Sequence, residues 1–153
     1  MQNDLSLKQQ ILTYCKEHTD RRLEGITAAL ADIKTARDGE TKSSAGDKFE
    51  TGRAMMQMEE AKLGGQLEEA LKVRQVLDRI KPGVTPERIA SGCLVATNRG
   101  NYFLAVGIGK VRIDGGVFFC TSLDSPIGNR LLGKVAGERL EFNGLDFEVL
   151  GFV

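Results

Sequence analysis

Tryptophan is missing from this chain, histidine occurs once, proline three times and cysteine three times. A lone His18 leaves no imidazole to share between an acid and a base. At helical spacing its neighbours are Tyr14, Cys15 and Arg22, which complete neither a nucleophilic triad nor a metal site. Cys15, Cys93 and Cys120 form no CxxC pair and are odd in number, which argues against a disulfide framework or structural zinc and for buried thiols in a reducing compartment. Charge of one sign is also lacking: 21 basic side chains meet 21 acidic ones, for a formal charge of +0. A basic surplus able to displace counterions is therefore absent, and autonomous DNA binding is not expected. No run approaches the roughly 20 apolar residues that span a bilayer, and the polar Met1 to Lys8 leads into no apolar stretch. The expected setting is cytoplasmic, without a membrane partner.

What is present divides the 153 residues into two halves with different periods. From Leu5 to Arg37 only Gly25 interrupts a helical pattern, and Leu23, Ile26, Leu30 and Ile33 step by threes and fours along one face. After the polar break from Asp38 to Gly46, the pattern resumes with a seven-residue step at Phe49, Met56, Leu63, Ala70 and Leu77, joined by Leu67, Val73 and Ile80. Neither stripe can be buried alone, so the two helices are expected to fold back as an antiparallel coiled-coil hairpin, with Ile33 near Phe49 and Ile26 near Met56. Thirty residues of helix make an arm of roughly 45 Å. Gly64-Gly65 is read as a kink or a close helix contact. Met55 and Met58, beside Met56, are read as flank packing.

Lys81-Pro82-Gly83 ends the second helix, placing the hairpin at 1–81, with its tip near 38–48, and a second domain at 82–153. There the period becomes two, in runs at Cys93–Thr97, Tyr102–Val106, Lys110–Ile113, Val117–Thr121, Arg139–Phe142 and Phe147–Leu150. Asn98-Arg99-Gly100-Asn101, Asp114-Gly115-Gly116 and Asn143-Gly144 are hairpin signals, because these residues accept positive φ at little cost. Gly107-Ile108-Gly109 lacks the third glycine and following helix of a dinucleotide loop, so it is assigned to a bulge or sheet bend. One short helix is expected, capped by Asp124 or Ser125, with Pro126 in its first turn and Gly133 at its end. The predicted fold class is α+β: a helical hairpin followed by a small antiparallel sheet with one helix.

The segment Ser125-Pro126-Ile127-Gly128-Asn129-Arg130-Leu131-Leu132-Gly133-Lys134-Val135-Ala136-Gly137-Glu138 resembles the C-terminal signature of the Gre-type (GreA/GreB) transcript cleavage factors. In that family a Ser-Pro pair, an apolar helix, a Leu-Leu-Gly-Lys-like run and a Gly-acid turn precede a closing hairpin. Phe147-Glu148-Val149-Leu150 is similar to the family's last strand, and a helical hairpin precedes the domain there too. The resemblance implies a C-terminal domain similar to FK506-binding proteins that grips RNA polymerase at its secondary channel while the hairpin enters it. Ser125, Pro126, Asn129, Arg130 and Lys134 are the implied polymerase-binding candidates. It also implies no cofactor of the chain's own, only an Mg²⁺ shared in the polymerase active site, which acids at the hairpin tip help to hold.

The tip departs from the family's Gly-Asp-Leu-x-Glu-Asn-Ala-Glu-Tyr. Matching Phe49 to the Tyr puts Lys42 and Ala45 at the acidic positions, and matching Gly39 instead puts Glu40 in place of the Asp. Neither alignment restores both acids. Asp38, Glu40, Asp47 and Glu50 are offset by Lys34, Arg37, Lys42 and Lys48, whereas a metal-holding tip should be net acidic. The expected function is therefore modulation of elongation from the channel, with Asp38, Glu40, Lys42 and Asp47 as tip candidates and no catalytic residue or metal site in this chain. The alternative is cleavage stimulation through Glu40 and Asp47. Two rivals stand beside these readings. One is a peptidyl-prolyl isomerase drawing on Tyr102, Phe103, Phe118, Phe119, Phe142, Phe147 and Phe152, although alternation should commit several of these to the core. The other is a coiled-coil adaptor that self-associates. Within the signature, Ile127, Leu131 and Leu132 are assigned mostly to closing the core, and Ser125 to helix capping, since no histidine lies near it in sequence.

Overall fold

A computed structural model of the protein describes residues 4–40 and 46–153, and the side chains of 4–39 and 52–153. Its elements are α1 (Leu5–Glu40), α2 (Gly46–Arg79), β1 (Leu94–Thr97), β2 (Gly100–Ala105), β3 (Gly109–Ile113), β4 (Gly116–Ser122), α3 (Pro126–Leu131), β5 (Arg139–Phe142) and β6 (Leu145–Phe152). The α+β class expected from the sequence is the one observed. Among the described residues no helix is long and apolar enough to cross a membrane. The chain groups into two compact units, Glu17–Arg74 on one side and Met1–Lys16 with Gln75–Val153 on the other.

Within the unit Glu17–Arg74, the seam of α1 meets that of α2. Ile26, Leu63 and Ala70 are buried together, with Leu23, Ala29, Leu30, Ile33 and Leu67 packed against them. Ile26 thus shares its cluster with Leu63 and Ala70, so the expected pairing with Met56 is corrected. The seven-residue step located the stripe on α2 but not its register against α1, which cross-helix packing sets. Ion pairs flank the seam: Arg37 to Glu60 at 2.8 Å, Arg22 to Glu69 at 4.0 Å and Arg74 to Asp20 at 3.4 Å. They are solvated at their rims and contribute at most about 1 kcal/mol each. Phe49 lies outside the described side chains. Met55 and Met58 do not pack along the flank, being 66% and 74% exposed.

Gly64 and Gly65 also differ from expectation. α2 runs through them as one helix of 34 residues, and a Cβ built on either meets nothing within 4 Å. No close helix contact requires them.

In the other unit, six strands form one sheet in the order β3-β4-β2-β1-β6-β5. The predicted tight turns are present. Asp114 and Gly115 sit at φ 49° and 79°, and Asn143 and Gly144 at 52° and 73°, positive at both positions as a two-residue hairpin demands. Thr97 pairs with Gly100 across the β1–β2 turn; its Oγ1 donates to Gly100 O at 2.8 Å and accepts from Arg99 N at 3.1 Å. The sheet is not wholly antiparallel, as had been expected: β2 and β4 run parallel. After β2 the chain turns at Gly107-Ile108-Gly109, where Ile108 N lies 3.1 Å from Val106 O and 3.2 Å from Cys120 O. The β3–β4 hairpin then folds back so that β4, not β3, takes the open edge of β2.

Each face of the sheet is covered. On one, Cys93, Val95, Leu104, Leu140, Phe147 and Val149 pack with Ile89 and with Leu131 of α3, and Tyr102, Phe142 and Phe152 border the cluster. The opposite face carries Leu94, Phe103, Val111, Phe118 and Cys120, all at most 2% exposed. Against it lies the start of α1, where Ile11, Leu12 and Cys15 are buried and Cys15 Sγ is 3.7 Å from Cys120 Sγ. Asp4 caps this helix, its Oδ1 accepting from Leu7 N at 2.7 Å.

Lys8, 1% exposed, belongs to the same buried stripe and donates from Nζ to Val84 O at 3.0 Å. Burial lowers its pKa from the ordinary 10.5, with Cys93 opposing that shift. A cation with a depressed folded pKa opposes folding while it is charged, so stability should rise as pH climbs from the folded value toward 10.5. Lys8→Met should lack this rise, which denaturant titrations of both proteins at neutral and alkaline pH would reveal. Gly64→Ala with Gly65→Ala should add about 1 kcal/mol per site, because nothing blocks a methyl group in a helix interior. Thermal unfolding checks this, and a lower melting temperature would refute it.

Candidate functional site

The signature segment begins with a close backbone approach. Ser125, extended at φ −67° and ψ 156°, is the N-cap of α3, and Pro126 fills the first turn, where a missing N–H costs nothing. Ser125 Oγ accepts from Gly128 N at 3.0 Å and from Thr121 Oγ1 at 2.6 Å, and donates to Ser122 O at 2.7 Å. All of its hydrogen-bonding capacity is committed internally. Gly128 is buried so tightly beneath this cap that a Cβ would sit 2.1 Å from Ser122 O. The Ser-Pro-x-Gly spacing is thus first a folding device.

The far end of α3 is fastened as well. Leu132 N donates to Gly128 O at 3.0 Å, and Gly133 takes φ 80°, the left-handed turn that only glycine adopts freely. Gly133 N donates to Ile89 O at 2.8 Å, and Ile89 N donates to Lys134 O at 2.9 Å, which stitches the Leu-Leu-Gly-Lys run to the segment leading into β1. Arg130 donates through its guanidinium to Glu141 O on β5, and Arg88 Nη1 donates to Gly133 O at 3.1 Å.

Of the five predicted contact residues, Pro126, Asn129 and Arg130 are exposed and share one helical face at i, i+3 and i+4. Lys134 is half-buried, and Ser125 is spent in the cap. Sequence reasoning missed Leu132. Assigned mainly to the core, it is 44% exposed, whereas Leu131 beside it is fully buried and Ile127 half-buried. Adjacent helical residues point about 100° apart, so Leu131 and Leu132 cannot both face the sheet, a signal that was already present in the sequence. The rim therefore combines a proline, an amide, a guanidinium and one apolar side chain.

A second feature, an aromatic group bordering the core, lies on the sheet. Tyr102 stacks at 5.5 Å from Phe119 and 6.4 Å from Phe147, Phe142 lies edge-on to Phe147 at 6.2 Å, and the Arg99 guanidinium sits 5.8 Å over the Phe147 ring. Burial pushes the Tyr102 hydroxyl pKa up. Phe103 and Phe118 belong to the opposite face, so the aromatics are divided between two cores.

At the hairpin, Asp38 is exposed near the end of α1. The side chains of Glu40, Lys42 and Asp47 lie outside the described residues. Arg37, counted among the cations that offset the tip acids, is paired with Glu60 on α2 at 2.8 Å. Among the described residues no group of three or more His, Cys, Asp or Glu is placed to hold a metal ion.

Ser125→Ala should cost about 1 kcal/mol, the usual value of a lost helix cap. Gly128→Ala should cost more, because its methyl would collide with backbone rather than with a flexible side chain. Urea denaturation of both variants tests the order, and equal costs would contradict the close approach at Gly128.

No family model matches the chain, and no curated protein matches it. Among solved structures, one titled "Structure of the transcription factor Gfh1" aligns with 90% of this chain and 92% of that chain, at 18% identity and a TM-score of 0.34. Similarity at that level does not establish a family.

Proposed function

We propose that the protein is a Gre-like accessory factor that binds RNA polymerase at its secondary channel and modulates elongation. One observation carries this reading. In the 125–138 signature the Ser125 cap and the bonds to Ile89 and Glu141 hold α3 with Pro126, Asn129, Arg130 and Leu132 outward, and the same chain supplies helices of 36 and 34 residues. A module of that kind needs no chemistry of its own. In functional terms Glu17–Arg74 is the arm, and Met1–Lys16 with Gln75–Val153 the docking module.

The chemistry of the rim fits a protein surface. A guanidinium pairs with carboxylate in a fixed fork geometry, while Pro126 and Leu132 offer apolar contact with little entropy to lose. Arg130 already donates to Glu141 O, which holds it in place before any partner arrives. At the arm, Arg37, one of the cations counted against the tip acids, is paired with Glu60 on α2. A role for Glu40 and Asp47 in holding the polymerase's Mg²⁺ is one arm of the test.

Immobilised protein should retain core polymerase at low salt. The combined substitution Asn129→Ala, Arg130→Ala and Leu132→Ala should weaken retention about tenfold or more while leaving the far-ultraviolet circular dichroism unchanged. Retention unaffected by these changes would remove the rim from the proposal, and no retention by the unaltered protein would remove the polymerase. Added to backtracked complexes, the protein should alter pausing without releasing short 3′ RNA fragments. Prompt release that is lost on Glu40→Ala with Asp47→Ala would instead assign cleavage stimulation.

A further inference from the structure

Cys15 and Cys120 are 105 residues apart in sequence, yet their sulfurs lie 3.7 Å apart, and both residues are at most 2% exposed. Cys15 comes from the stripe of α1 that covers the sheet, and Cys120 from the middle of β4. Cys93, the third thiol, sits in the core cluster on the other face of the sheet, where its Sγ is 3.4 Å from Ala90 N. The fold therefore selects one pair of sulfurs out of three.

We propose that Cys15 and Cys120 form a redox modification site, a dithiol that a peroxide-class oxidant converts to a disulfide joining α1 to β4. A disulfide bond is about 2.05 Å long, so the sulfurs, 3.7 Å apart, must close by roughly 1.7 Å. One thiolate attacks a peroxide oxygen, the O–O bond breaks to give a sulfenic acid and hydroxide, and the hydroxide takes up the proton that the first thiol had lost, giving one water. The second thiol then attacks that sulfur, the S–O bond breaks, and the departing hydroxide takes up the thiol proton as a second water. Two thiols and one hydrogen peroxide thus give one disulfide and two waters, with two electrons passing from sulfur to oxygen.

The contact favours ionisation on one side of the pair. A hydrogen bond from Cys120 lowers the Cys15 pKa, and that bond together with burial pushes Cys120 up. Cys93 is pushed up chiefly by burial. Because both members of the pair are buried, oxidant reaches them through local opening of α1 from the sheet. Reaction is slow for that reason, and the product is shielded from reductant once the helix recloses.

The test uses the full-length folded protein, incubated with hydrogen peroxide, alkylated and mapped without reduction. The expected result is one intramolecular crosslink between the peptides bearing Cys15 and Cys120, a loss of two hydrogens, and Cys93 still alkylated. Dithiothreitol should reverse it. The oxidised form should melt on the order of 5–15 °C higher, since a long loop has been closed in the unfolded chain. Cys93→Ser should crosslink as the unaltered protein does, and this variant keeps the test informative if Cys15→Ser or Cys120→Ser fails to fold. Crosslinks through Cys93 or between chains in comparable yield would overturn the proposal. So would sulfinic acid without a crosslink, or thiols that stay reduced after prolonged treatment.

Discussion

The sheet has two apolar faces, and neither can be left to water. One is covered locally, by α3 and the segment through Ile89. The other is covered from the opposite end of the sequence, by the buried stripe of α1 that includes Ile11, Leu12 and Cys15. Burying Phe103 and Phe118 at 0% and 1% exposure stabilises the fold by roughly 1.5–3 kcal/mol per side chain. It also obliges Lys8, on the same stripe, to enter the interior with only its ammonium satisfied by Val84 O. The contact between Cys15 and Cys120 is a further product of that requirement.

The same economy governs the signature segment. Its distinctive chemistry, a serine hydroxyl, a proline and a glycine without a Cβ, is used up in starting a six-residue helix against β4. A helix this short has little stability of its own, so capping and docking must hold it. What is left over on its outer side is exposed and takes no part in the core. The outward side chains Pro126, Asn129 and Arg130 are thus placed by groups that are themselves turned inward.

In the helical unit the balance differs. Ile26, Leu63 and Ala70 form a narrow seam, and the surface around it carries the pairs Arg22–Glu69, Asp20–Arg74 and Arg37–Glu60. Such a pair of helices depends on apolar matching along a single stripe, with the solvated ion pairs contributing little. The outward glycines Gly64 and Gly65 weaken it without serving any contact in this chain.

Helix and strand periods, the two-residue turns at Asp114-Gly115 and Asn143-Gly144, and the cap at Ser125 were legible in the residues, because each follows from local sterics and hydrogen bonding within a few positions. The heptad step likewise marked Leu63, Ala70 and Leu77 for burial. Local patterns carry no information about which distant surface a stripe will meet. The register that brings Ile26 to Leu63 and Ala70, the parallel placement of β4 beside β2 and the meeting of Cys15 with Cys120 were decided only by tertiary packing, where the closing of one apolar face against another sets the outcome.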